Sequence, residues 1–144
     1  MLYEITTAEQ ISRVISQATA PAFLLGAVAA FISVLITRMN RIVDRSIALS
    51  DLPDDDAGKS HVKAIFPRLR RRARLLNKAI ECAVISGIFT TLLVISAFAS
   101  AFLNLKHEYG AAILFSIALM FFAASLVALL FEVRAAVHDL DFYV

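Results

Sequence analysis

The chain has 144 residues, 60% of them hydrophobic, and its 14 Lys and Arg against 12 Asp and Glu leave a formal net charge of +2. Soluble domains are roughly 45–50% apolar, so this composition, with a mean hydropathy of +0.77, speaks against one water-soluble domain. The single cysteine, Cys82, excludes an intramolecular disulfide and any site built from several thiolates.

In chain order, the first signal is Thr7 with Gln10, a capping box that opens a short helix. Ile11, Val14, Ile15 and Ala18 then recur at helical spacing, which predicts an external interfacial helix over residues 7–18. Pro21 has no amide hydrogen for the preceding turn, so a break or kink is expected there. Glu4 and Glu9 stand where a signal peptide would be basic, and no cleaved leader is expected. Val14 to Thr37, Cys82 to Leu105 and Tyr109 to Phe131 hold no Asp, Glu, Lys or Arg over 24, 24 and 23 positions. About 20 apolar helical residues cross a hydrocarbon layer of about 30 Å. The predicted fold class is therefore an all-α membrane protein, with three transmembrane helices over residues 19–37, 82–104 and 109–131.

Between the first two spans, residues 38–81 carry eleven Lys or Arg against six acids, whereas only Arg13 and Lys106 are basic on the opposite side. Basic loops stay cytoplasmic. This segment and the tail, 132–144, are expected inside, with the N-terminus and the turn at 106–108 outside. Ile36, Met39, Val43 and Ile47 form one apolar stripe, and Ile65, Leu69, Ala73, Leu76 and Ile80 form another. Facing each other, they predict a cytoplasmic antiparallel helical hairpin. Its register sets Val43 against Ala73 and Ile47 against Leu69, and puts Asp44 level with Arg72 as a predicted ion pair. Ser50 to Ser60, with Pro53, Asp54, Asp55, Asp56 and Gly58, reads as the apex, and Pro67 as the first turn of the return helix, or as a kink if that helix already runs through His61.

Small residues carry a second pattern. Ala18, Ala22, Gly26 and Ala30 recur every fourth position, and Ala83 and Gly87 repeat the spacing. Such stripes let helices approach closely in lipid, within one chain or between copies.

The runs APAFLLGAVAAFISVLITRMNRIVDRSIAL (residues 20–49) and RLRRRARLLNKAI (68–80) resemble a bacterial membrane-protein family, domain of unknown function 2721. The resemblance covers roughly residues 10–130 and rests on Pro21, Arg38, Arg41, Asp44, Arg45, Arg71, Arg72, Arg74 and Asn77. It implies a multi-pass protein of the bacterial cytoplasmic membrane and brings no assigned activity.

Arg68, Arg70, Arg71, Arg72, Arg74 and Lys78 are the densest charge cluster and suit anionic lipid headgroups or a partner. The cluster has no interleaved aromatics for base stacking, so nucleic acid is not expected. Arg38, Arg41, Asp44, Arg45, Glu81 and Glu132 gather where the apolar blocks end and read as an interfacial charge network, with Glu132 expected near Arg38. His61, His107 and His138 lie far apart, and there is no HExxH, phosphate loop or nucleophile elbow. No enzyme activity, metal or cofactor is expected. Two functional readings remain. One is a non-enzymatic scaffold or accessory subunit, acting through helix packing and the basic hairpin, as a homo-oligomer or in a larger complex. The other is a homo-oligomeric channel lined by Ser86, Thr90 and their neighbours.

Overall fold

A computed structural model describes residues 2–51, 56–103 and 108–140. All of the regular structure among them is helical: α1 (Leu2–Ser50), α2 (Asp56–Leu103) and α3 (Glu108–Leu140). Each helix is long and apolar enough to cross a membrane, over Ile11–Ser50, Ala64–Ser100 and Tyr109–His138.

Both prolines lie inside helices. α1 starts at Leu2, ahead of the Thr7 capping box, and runs unbroken through Pro21, so residues 7–18 are continuous with the following span rather than a separate helix. The missing Pro21 amide costs one backbone bond, which a helix of 49 residues with packed neighbours absorbs. α2 begins at Asp56, not after Ser60, so Pro67 sits well beyond its first turn. α1 closes with a bond from the Asp51 amide to the Ile47 carbonyl, 3.2 Å. Asp54 and Asp55 of the expected apex lie outside the described residues.

The burial pattern has a period of seven. α1 buries Pro21, Val28, Leu35 and Ile42. On α2 the series is Leu69, Leu76, Ala83 and Thr90, with Ala79, Ser86 and Leu93 interleaved; on α3 it is Ala118, Ser125 and Glu132. A seven-residue repeat keeps one narrow seam of a helix turned toward its neighbours. The hairpin stripe expected on α1 is displaced from this seam. Ile36, Val43 and Ile47 are about half-exposed, while Leu35 and Ile42 are buried. One residue is about 100° of rotation, and the core is turned by that amount.

The chain divides into two compact units, each containing parts of all three helices. Unit 1 comprises Met1–Phe31 and Ala83–Phe122. Here Gly87 admits α1 closely, because a Cβ on it would meet the Val28 side chain at 3.6 Å and Leu25 at 4.0 Å. Phe31 meets Phe122 edge to face at 5.5 Å, and Phe89 stacks on Phe121 at 5.9 Å. The Ser86 hydroxyl donates to the Ala118 carbonyl at 2.7 Å, and the Thr90 hydroxyl to the Ser86 carbonyl at 2.8 Å. Unit 2 comprises Ile32–Cys82 and Ala123–Val144, with a core of Leu35, Ile42, Leu69, Leu76 and Ala79. The Ser125 hydroxyl donates to the Ala79 carbonyl there.

Apolar surface faces outward. Among the described residues nine hydrophobic ones form the buried core, whereas large ones such as Phe23, Ile88, Ile95, Ile113 and Met120 stand more than half exposed. Water would penalise so large an apolar exterior, and lipid would not. The hydroxyls on that exterior are quiet as well: Thr19, Thr37, Thr91 and Ser116 each donate to the carbonyl four residues back, at 2.8–2.9 Å. In hydrocarbon such a return bond removes an unsatisfied polar group.

The small-residue stripes divide accordingly. Ala83 and Gly87 are used within unit 1, whereas Ala22, Gly26 and Ala30 are exposed, and nothing lies within 4 Å of a Cβ on Gly26. Gly87→Leu is therefore expected to destabilise the protein by about 1–3 kcal/mol through overpacking. Gly26→Leu should stay within about 0.5 kcal/mol. Thermal unfolding in detergent checks both, and equal effects would contradict the packing described.

Candidate functional site

The most concentrated chemistry lies in unit 2, on the seam of α3. Ala118, Ser125 and Glu132 follow each other at seven-residue intervals, and each is fully buried. The repeat that carries small residues inward thus carries a carboxylate inward as well. An isolated buried carboxylate is very costly, so Glu132 must be paired. Arg72 supplies two bonds to Oε1, from Nε at 3.0 Å and Nη2 at 2.8 Å. Arg38 supplies one to Oε2, from Nη1 at 3.0 Å. Three charge-assisted bonds from α1 and α2 converge on one acid of α3.

Arg72 reaches the site because it shares the seam of α2, between Leu69 and Leu76. Its side chain is 21% exposed, against 40% for Arg38. Two guanidinium groups and one carboxylate leave a single positive charge. No buried polar side-chain atom among the described residues is without a partner. Chemically the arrangement is a clasp. Both carboxylate oxygens of Glu132 are occupied by an arginine.

The interfacial network expected from the sequence is only partly assembled. Arg38 and Glu132 do meet. Arg41, Asp44 and Arg45 are exposed and do not join them. Glu81 is also exposed and accepts a bond from Asn77 Nδ2 at 2.8 Å, within its own helix. The predicted pair between Asp44 and Arg72 is replaced by the pair between Arg72 and Glu132. The reason is directional: Asp44 follows buried Ile42 by two residues, which turns it to the outer face of α1, whereas Arg72 points along the seam. Of the basic cluster, Arg68, Arg70, Arg71, Arg74 and Lys78 are all exposed.

A second feature of unit 2 is an open groove of about 400 Å³ between α1 and α2. Its walls include Ile42, Val43 and Ile47 from α1, and Phe66, Leu69 and Arg70 from α2. It exists because the α1 core is rotated away from Val43 and Ile47. Among the described residues no group of three His, Cys, Asp or Glu could hold a metal ion.

These features define a class: an all-helical protein whose three helices are each suited to cross a membrane, tied by a buried glutamate between two arginines. Over residues 18–142 the chain matches the family described as protein of unknown function (DUF2721), and it belongs to that family. No curated protein and no solved structure matches it.

Removing the central acid strands two arginines. Glu132→Ala is expected to lower the unfolding free energy by about 3 kcal/mol, as for other broken buried pairs. Asp44→Ala, on the exposed face, should cost less than about 0.5 kcal/mol. Thermal midpoints in detergent compare the two, and similar small losses would show that the clasp contributes nothing.

Proposed function

We propose that the protein is a non-enzymatic scaffold or accessory subunit of the bacterial cytoplasmic membrane. It crosses three times, with its N-terminus outside, its C-terminus inside, and residues 38–81 as a cytoplasmic antiparallel hairpin. The observation that carries this reading is the clasp, in which the one buried charge among the described residues is committed to holding helices together. A group so saturated does structural work. The hairpin draws support from the groove, where Val43 and Ala73, and Ile47 and Leu69, share one lining, as the antiparallel register requires. The orientation draws support from the eleven basic residues of 38–81.

A channel lined by Ser86 and Thr90 is the weaker reading. Both residues are fully buried inside unit 1, and both hydroxyls are spent on carbonyls.

Orientation is tested by cysteine labelling in a Cys82→Ser background. An impermeant maleimide should label Tyr109→Cys on intact spheroplasts, and Ser60→Cys only after the membrane is opened; the reverse pattern would overturn the topology. Function is tested in mild detergent, where native mass should show an assembly larger than the 15.8 kDa chain. Liposomes carrying the protein should hold a potassium gradient as well as empty ones. A bare monomer, or a steady leak, would remove the scaffold reading.

A further inference from the structure

We infer that the groove between α1 and α2 is a seat for one anionic phospholipid, with an acyl chain along its apolar walls and the phosphate on Arg70. The inference rests on residues 38–81 meeting the membrane surface, as proposed above.

The groove is a built feature of unit 2 rather than a general property of its surface. Its volume of about 400 Å³ falls within the range of ligand pockets. Val43 is 46% exposed, Ile47 54% and Phe66 44%, although each is large and apolar. Ile36 continues the same face of α1 toward the first span and is 46% exposed. An apolar track thus runs from the groove along α1 toward the span.

The groove lies away from the clasp. At about 100° per residue, Ile47 and Arg70 stand more than about 120° around their helices from Arg38 and Arg72. α3 approaches from the side of Arg38 and Arg72, whereas the groove is lined by α1 and α2 alone.

Charge selects the occupant. Arg70 lines the groove, and Arg74 follows it one turn later on the same side of α2. Both are exposed, and neither has a carboxylate partner among the described residues. A second copy of the chain would bring the same cations to the contact. A water-soluble phosphate would leave Val43, Ile47 and Phe66 uncovered. An amphiphile with one negative head and long apolar chains satisfies both requirements. Such a lipid is present wherever the hairpin meets the inner leaflet.

The test is native mass measurement of the purified full-length protein in detergent, titrated with phosphatidylglycerol or, separately, phosphatidylcholine. One phosphatidylglycerol should bind per chain in preference to phosphatidylcholine. Arg70→Gln should weaken that binding roughly fivefold, as expected for one basic residue at a headgroup. Arg71→Gln, on the far side of α2, should leave it within about twofold. Val43→Phe fills the groove and should abolish the bound lipid, with thermal unfolding confirming that the variant is folded. Equal losses from Arg70→Gln and Arg71→Gln, with no effect of Val43→Phe, would reduce the site to diffuse surface charge and overturn the proposal. A dimer that Val43→Phe dissolves would overturn it in favour of a second copy. The titration reads the groove alone and the cysteine labelling reads orientation, so the two readings fail separately.

Discussion

A carboxylate with no exposed surface can persist only where its charge is met on the spot, and Glu132 is met by two guanidinium groups from two other helices. The desolvation cost of such a group is several kcal/mol. The geometry that offsets it is exacting: three bonds of 2.8–3.0 Å, one of them from a side chain still 40% exposed. Sliding or rotating any of the three helices within unit 2 would break at least one of these bonds. The clasp therefore fixes register, which a seam of leucine and alanine does only weakly. A directional polar contact of this kind supplies the specificity that such a seam lacks.

The remaining polar groups follow the same rule at lower stakes. Ser86 and Ser125 lie on the seams of α2 and α3, and each donates across to a carbonyl of a neighbouring helix. The outward hydroxyls turn back on their own helices. Side chains are small where backbones approach, as at Ala79, Ala83, Gly87 and Ala118. Aromatic rings pair in unit 1, Phe31 with Phe122 and Phe89 with Phe121. Narrow seams and satisfied donors together let a helical protein be held with only a handful of buried apolar residues.

Much of this was legible in the sequence, because uncharged runs of more than twenty residues have one physical explanation. The helices, their apolar stretches and the meeting of Arg38 with Glu132 all follow from where charges stop and start. The helix boundaries at Leu2 and Asp56 were harder to read. Thr7, Pro21 and Pro67 are local signals, and long cooperative helices with tertiary contacts override them. The rotated hairpin face was missed for a similar reason: Ile36, Val43 and Ile47 look like a core stripe to any periodicity argument made in water. In a membrane protein the most apolar face can be the outer one. Arg72 could have been found from its spacing of seven from Ala79, and of fourteen from Ser86. The same repeat, taken from Ala118 through Ser125, points to Glu132.

The clasp also has an electrical consequence. Its two guanidinium groups and one carboxylate leave one uncompensated positive charge. Moving an elementary charge through a membrane potential is worth about 2.3 kcal/mol per 100 mV. In the orientation proposed above, an interior-negative voltage holds that charge on its own side. An energised membrane would thus oppose any outward displacement of the three helices at the clasp, which would act as a tether whose hold grows with voltage.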